Sequence, residues 1–366
     1  MRLFRCHGCQ QPVYFENTHC EHCHASLGFV AEYMEVTAVS AETDAEGAEF
    51  WRDNIPSGGR LWRYCSNSAH QVCNWLIPAE GDSALCEACR LNRTIPDLGD
   101  AARLSCWRAI EVAKHRLVYA LLRLRLPLLS KLEDSERGLA FDFLADSEPA
   151  FREGPGILTG HAQGVITLNI AEADPVTREA MRQDMAEPYR TLLGHVRHES
   201  GHYYWDQLIA NSQWLQPFRE LFGDEQQDYA QALQQHYQQG APQDWQQRHI
   251  SAYASMHPWE DWAETWAHYL HIVDTLETAC AFGLSIRPRA KIETELDTEL
   301  DFDPYRQTDF GILFEAWLPL TFAVNSLNRS MGQPDLYPFV ISPLVASKMD
   351  FVHRVITAAA ELTNAA

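Results

Sequence analysis

Residues 194–209 read GHVRHESGHYYWDQLI. His198 and His202 stand four apart, so on a helix they project from one face about one turn from each other. That spacing lets two imidazoles bind one zinc ion. Glu199, on the neighbouring face, can reach a water at the metal without being a ligand, which is the logic of an HExxH site. His195 lies on the same face as the pair. Sixteen histidines occur in the 366 residues, and a surface helix with two solvated histidines and a polar-face glutamate would read alike. The motif therefore needs a third ligand and catalytic partners. A metzincin would continue as HExxHxxGxxH; Trp205 and Leu208 occupy those two places, which excludes that class. A glutamate from a later helix is the alternative, and SAYASMHPWEDWAETWAHYLHI (251–272) supplies two. Glu260 and Glu264 are four apart, just inside a helix opened by Pro258. One can ligate zinc while the other hydrogen-bonds a ligand histidine. The competing role for Glu260 is a first-turn glutamate at N3, behind His257 as N-cap.

Eight of the ten cysteines fall within the first 90 residues. Cys6-x2-Cys9 and Cys20-x2-Cys23 are two matched turns whose four sulfurs can close a tetrahedron on zinc. So small a region cannot bury an adequate core, and metal binding would provide much of its folding energy. The second cluster, Cys65, Cys73, Cys86 and Cys89, is a CxxC only in its second half, and His70-x2-Cys73 offers another first half. Both read as closed structural sites, which makes two structural zinc ions and one catalytic. Cys106 and Cys280 stand alone and read as buried apolar residues.

The chain carries 29 basic and 50 acidic side chains, a net charge of −21. This balance repels phosphate backbones and anionic lipid surfaces. Residues 1–100 hold seven basic and fourteen acidic side chains, so protein contact or scaffolding suits the cysteine region better than nucleic acid. No apolar run follows the charged start MRLFRCHGCQ, so an export signal is not expected. A cytoplasmic location with reduced cysteines follows. LVYALLRLRLPLL (117–129) contains two arginines and is too short to span a bilayer; it reads as a core or interface helix, and no membrane association is expected.

These residues need scaffolding. The expected fold class is α+β and mostly helical, with zinc-ribbon modules in residues 1–97 and a metallopeptidase-like domain in 98–366. AVSAETDAEGAEF (38–50), small and acidic, reads as a loop or linker between the two cysteine clusters. Apolar residues at three- and four-residue steps make a helix from about Asp100, interrupted at Pro127. GVITLNI (164–170) reads as a strand, either an exposed edge above the metal or an ordinary internal strand. Helix is expected from Val176 to Ala210 with a break near Pro188, and again from Pro258 to about Thr278. QALQQHYQQG (231–240) reads as a solvated helix face. The last hundred residues read as mostly helical, with a loop at MGQPDLYPFVISP.

HESGHYYWD followed by YASMHPWEDWAE resembles the HExGHxxxD and Yx6ExxxE pattern of lethal-factor-type gluzincin metallopeptidases. Nearly the whole chain, both cysteine clusters and the DLYPFVISP segment included, is similar to a bacterial family of zinc-binding metallopeptidases with an N-terminal zinc-ribbon region. The resemblance implies zinc-dependent hydrolysis of a peptide or protein substrate. By it His198, His202 and Glu260 are the zinc ligands, Glu199 the general base and Tyr253 the donor to the transition-state oxyanion. Glu264 and Asp206 are the residues behind the ligands. The rival expectation is a zinc-binding interaction or scaffold protein whose HExxH helix is catalytically idle.

Overall fold

A computed structural model describes residues 2–43, 47, 49–54, 59–145, 159–184, 191–289 and 296–365. It is 46% helical and 17% strand, a mixed α+β chain. It divides into two compact units, residues 1–123, 128–159 and 167–174 forming one and residues 124–127, 160–166 and 175–366 the other.

In the first unit, β1 (Phe4–Arg5) and β2 (Pro12–Val13) form a small antiparallel pair around the Cys6–Cys9 turn. Then β3 (Ser26–Val30), β4 (Glu35–Thr43), β5 (Glu49–Asp53), β6 (Leu61–Tyr64) and β7 (Trp75–Pro78) close into a barrel, sealed by parallel pairing of β3 with β7. Val30, Val39, Trp62 and Leu76 fill it, with Trp51 and Tyr64 packed alongside. Gly28 is required where β3 meets Leu76, because a Cβ there would fall 2.5 Å from the leucine side chain. The expected linker is therefore a correction: residues 38–43 belong to β4 and residues 49–50 to β5, while 44–46 and 48 lie outside the described residues. Its outward residues are small and polar, and only the inward ones show that it is sheet. The cysteine region accordingly contains a five-stranded barrel in addition to its two clusters.

The helix α1 (Ala101–Arg123) follows β8 (Asn92–Thr94). Asp100 caps it, its Oδ1 accepting from the amide of Ala102 at 2.8 Å. One face buries Trp107, Ile110, Leu117, Val118 and Leu121. The helix stops at Arg123, four residues before Pro127: Arg125 takes the left-handed region at φ 56°, and the residue ahead of the proline is pushed out of the α region. β9 (Ala140–Leu144) pairs parallel with β8. β10 (Gly160–Ala162) and β11 (Val165–Asn169) complete a sheet of order β10-β11-β9-β8. The expected strand at 164–170 thus has a neighbour on each side, and β10 holds the edge.

The second unit is helical: α2 (Pro175–Asp184), α3 (Leu192–Leu208), α4 (Leu215–Phe222), α5 (Tyr229–Gln239), α6 (Trp245–Arg248), α7 (Pro258–Ala281), α8 (Phe310–Ser330) and α9 (Pro343–Ala365), with the short pair β12 (Ser285–Ile286) and β13 (Thr298–Glu299) between α7 and α8. The expected break near Pro188 falls outside the described residues, between α2 and α3. Among the described helices only α8 is long and apolar enough to cross a membrane, with a third of that stretch buried. The expected loop at 331–343 joins α8 to α9, pinned by paired hydrogen bonds between Asn325 and the backbone of Tyr337.

The site depends on α3 lying against α7. Gly201, inside HESGH, makes the approach feasible, for a Cβ there would sit 2.9 Å from Ala263 Cα. Trp262 Nε1 donates to the Gly201 carbonyl at 2.8 Å, and Trp266 Nε1 donates to Ser200 Oγ at 3.1 Å. These bonds fix the rotation of α3 relative to α7, and hence which residues of each face the other.

Candidate metal centre

Thr191 starts α3 by accepting from the amide of Gly194 at 2.9 Å. His257 starts α7, its Nδ1 accepting from the amide of Trp259 at 3.1 Å. A histidine thus caps where Ser or Asp is usual. Glu260, freed from capping, turns to α3. His198 Nε2 lies 2.9 Å from Glu260 Oε2 and 3.2 Å from His202 Nε2, and His202 Nε2 lies 3.5 Å from the same oxygen. One donor atom from each residue falls within 4.8 Å of the others, and all three residues are buried.

Glu264, one turn along α7, accepts at 2.7 Å from His198 Nδ1 and at 2.6 Å from Ser251 Oγ. The proton on Nδ1 leaves Nε2 as the free ligand atom. Burial alone would lift the Glu264 carboxyl, but the His198 hydrogen bond and charge bring it down to about 2. Burial disfavours the charged form of His198, yet the two glutamates raise its pKa well above the usual value. Two carboxylates thus converge on this imidazole, a concentration of negative charge suited to a cation.

Glu199 is buried. Its Oε1 lies 3.4 Å from His195 Nε2, whereas its Oε2 has no hydrogen-bond partner among the described residues. Burial opposes its ionisation, but His195, His198 and His202 prevail and hold its pKa below normal. The Tyr253 ring lies 6.0 Å from that of His198. Burial, then the charge of Glu260, pushes the Tyr253 phenol far up, so it stays protonated. Asp206, one turn beyond His202, is half-buried; burial raises its carboxyl, and His202 Nδ1 makes no hydrogen bond among the described residues. The structure therefore brings His198, His202, Glu260, Glu199, Glu264 and Tyr253 together and leaves Asp206 unbonded to the histidine it follows.

Several residues escaped sequence reasoning. Trp259 packs on His202 with ring centroids 4.0 Å apart, and His161 of β10 stacks on the same imidazole at 6.5 Å. Tyr229 donates to Glu260 Oε1 at 2.8 Å. Its chain distance from Glu260 and its polar surroundings gave no signal, whereas Trp259 sat beside a residue already singled out.

Both cysteine clusters assemble. Cys6, Cys9, Cys20 and Cys23 converge, as do Cys65, Cys73, Cys86 and Cys89, the latter four all buried. Sulfur separations of 3.6 Å (Cys6–Cys23), 3.5 Å (Cys9–Cys20) and 3.7 Å (Cys73–Cys86) are far beyond a disulfide. They match the edge of a tetrahedron with roughly 2.3 Å zinc–sulfur bonds, about 3.8 Å. The Cys23 amide and then other backbone and thiol contacts hold the Cys20 thiol down at about 6. His70 stands apart: its ring packs on Trp107, and the second cluster consists of the four cysteines. His115 Nε2 lies 3.7 Å from Cys89 Sγ, behind that cluster.

Residues 103–355 match the family described as "Putative zinc-binding metallo-peptidase", and residues 3–100 match a zinc-ribbon domain. The chain belongs to that metallopeptidase family. Uncharacterized proteins of Mycobacterium tuberculosis and Mycobacterium bovis are 41% identical to it over 357 residues, 97% of this chain and 95% of theirs. No solved structure matches it. The metallopeptidase-family region contains the entire His198–His202–Glu260 cluster, and the zinc-ribbon region contains all eight clustered cysteines.

Proposed function

We propose that the chain hydrolyses peptide bonds in a zinc-dependent reaction of the gluzincin type, at a centre held by His198, His202 and Glu260. One observation carries this reading: three buried donors from α3 and α7 converge, and beside them the Glu199 carboxylate keeps one oxygen without a hydrogen bond. The two imidazoles and one carboxylate are a donor set that zinc favours with a fourth position left for water or substrate. A zinc ion bound there supplies Lewis-acid polarisation of the scissile carbonyl and makes a water acidic enough to react near neutrality.

Glu199, ionised by its histidine neighbours, takes the proton of the attacking water and delivers it to the leaving amine. Tyr253, kept protonated, donates a hydrogen bond to the oxyanion. Glu264 locks the His198 tautomer. β10, the sheet edge next to His202, is where an extended peptide adds by strand pairing; this replaces the role that sequence alone suggested for residues 164–170. The cysteine clusters each hold a structural zinc, and the zinc-ribbon region can contact a protein partner. Cysteines kept for zinc rather than joined in disulfides suit a reducing compartment, and we place the protein in the cytoplasm.

Zinc quantitation is the test. Wild type should carry about three ions per chain and His198→Ala about two, given two closed sites and one open site. Glu199→Gln should keep about three and lose peptide cleavage. Unchanged zinc in His198→Ala removes the centre. Full zinc without cleavage in both wild type and Glu199→Gln favours the idle scaffold instead.

A further inference from the structure

Tyr229 opens α5, a helix with no buried residue. Its hydroxyl nevertheless reaches inward and donates to Glu260 Oε1 at 2.8 Å. Resting on the proposed metal centre, we infer that Tyr229 is a positioning residue that fixes which oxygen of Glu260 meets the metal.

A carboxylate can bind a cation through one oxygen or both. In Glu260 the two oxygens have different surroundings. Oε2 lies 2.9 Å from His198 Nε2 and 3.5 Å from His202 Nε2, and accepts no hydrogen bond among the described residues. Oε1 is engaged by the tyrosine. A donor on Oε1 takes one of that oxygen's two lone pairs and draws off its electron density, which disfavours two-oxygen binding, and it satisfies an atom that would otherwise be buried without a partner. It also holds the carboxylate plane, so that Oε2 is the oxygen presented with the two imidazoles.

The hydroxyl is itself well placed. Asp228 caps α5, its Oδ1 accepting from the amide of Gln231 at 3.0 Å. The Tyr229 ring packs on His257 at 5.3 Å and on Trp259 at 6.4 Å. His257 Nε2 donates to the Gln227 carbonyl at 3.2 Å, while its Nδ1 caps α7. One imidazole thereby ties the turn leading into α5 to the first turn of α7, which carries Glu260. His236, two turns further along α5, sets its ring edge-on to Tyr253 at 6.0 Å. A helix without a core residue is thus held by contacts with the site.

The experiment is Tyr229→Phe in the full-length protein. The hydroxyl is lost while the ring contacts remain. Zinc affinity of the third site is read by chelator competition. Cobalt at that site is read as a visible difference spectrum against His198→Ala treated identically, which cancels the cysteine sites. Affinity should fall by about 10-fold, the lower range for losing a hydrogen bond to a metal ligand. The cobalt bands should weaken as Glu260 supplies a second oxygen and coordination number rises. Melting in excess chelator should not change. Unchanged affinity with an unchanged spectrum overturns the inference, and so does an affinity loss accompanied by a lower melting point in chelator, which makes the role structural. If His198→Ala itself keeps three ions, the metal-centre reading fails, a result independent of Tyr229.

Discussion

The cysteine clusters and the His198–His202–Glu260 centre gather their donors by opposite routes. In the first cluster the backbone folds around the metal position. Cys6 and Cys20 each begin the same turn, in which the residue four later donates its amide to the cysteine carbonyl: Gln10 to Cys6 at 2.8 Å and His24 to Cys20 at 2.9 Å. Both of those residues sit in the left-handed region, at φ 63° and 59°. Such turns have little besides sulfur at their centre, so the metal is part of the fold. The histidine–glutamate centre is carried on two long helices that Trp262, Trp266 and Gly201 already hold together. On the proposed reading, a metal bound there would be a guest of a preformed scaffold, which suits a site that must exchange water and substrate.

The largest expected effect is at the cysteines. Cys73→Ser removes one of four buried thiols, and structural zinc in small domains contributes roughly 10–16 kcal/mol to folding. The variant should lose one zinc ion, and limited proteolysis should cut within residues 1–123. His198→Ala should lose its zinc and leave the proteolytic pattern unchanged. Equal sensitivity of the two variants would erase the contrast between metal as core and metal as guest.

Acid separates the regions next. His268 is buried in α7, with its Nδ1 2.8 Å from Tyr337 Oη. Burial, set against the charge of Glu264, lowers its pKa from 6.5 to about 4. Because the folded value lies below the unfolded one, the unfolded chain takes up the proton first. Stability present above about pH 6.5 is therefore lost as the pH falls towards about 4, a change of roughly 3 kcal/mol. His271 shifts in the same direction, by burial and then the Arg197 charge. Melting temperatures of the metal-stripped protein should fall through that window, and less steeply in His268→Gln. Parallel curves for the two proteins would show that His268 does not titrate on unfolding.

What the sequence revealed follows the same division. Paired CxxC spacings expose the first cluster because its geometry is local, whereas in the second it is the fold that brings Cys65 and Cys73 beside Cys86 and Cys89. Helical spacing put His198 with His202, and Glu260 with Glu264, each on one face of a helix, because an i, i+4 pattern already encodes a face; that the two faces meet is seen only in the structure. The barrel was hidden because β4 mixes a buried run at 36–39 with an exposed polar end, and closure pairs β3 with β7 over 40 residues away. Tyr229 was hidden for a related reason: a single hydroxyl reaching across from a polar helix leaves no periodic trace.

The smallest expected effect tests whether the scaffold is as rigid as the comparison requires. Gly201→Ala adds one methyl where α3 meets α7, 2.9 Å from Ala263 Cα and 3.2 Å from Trp266 Cδ1. The first atom is backbone and cannot rotate away, so the helices must separate by several tenths of an ångström. Overpacking of this kind costs roughly 1–3 kcal/mol, readable as a lower melting point in chelator. Separation also draws Glu260 from the imidazoles, because the clash lies between the two ligand-bearing segments. The third zinc should therefore bind more weakly in Gly201→Ala while both cysteine sites stay full. A stability loss with unaltered zinc affinity would mean that α3 yields locally, and that Gly201 serves packing alone.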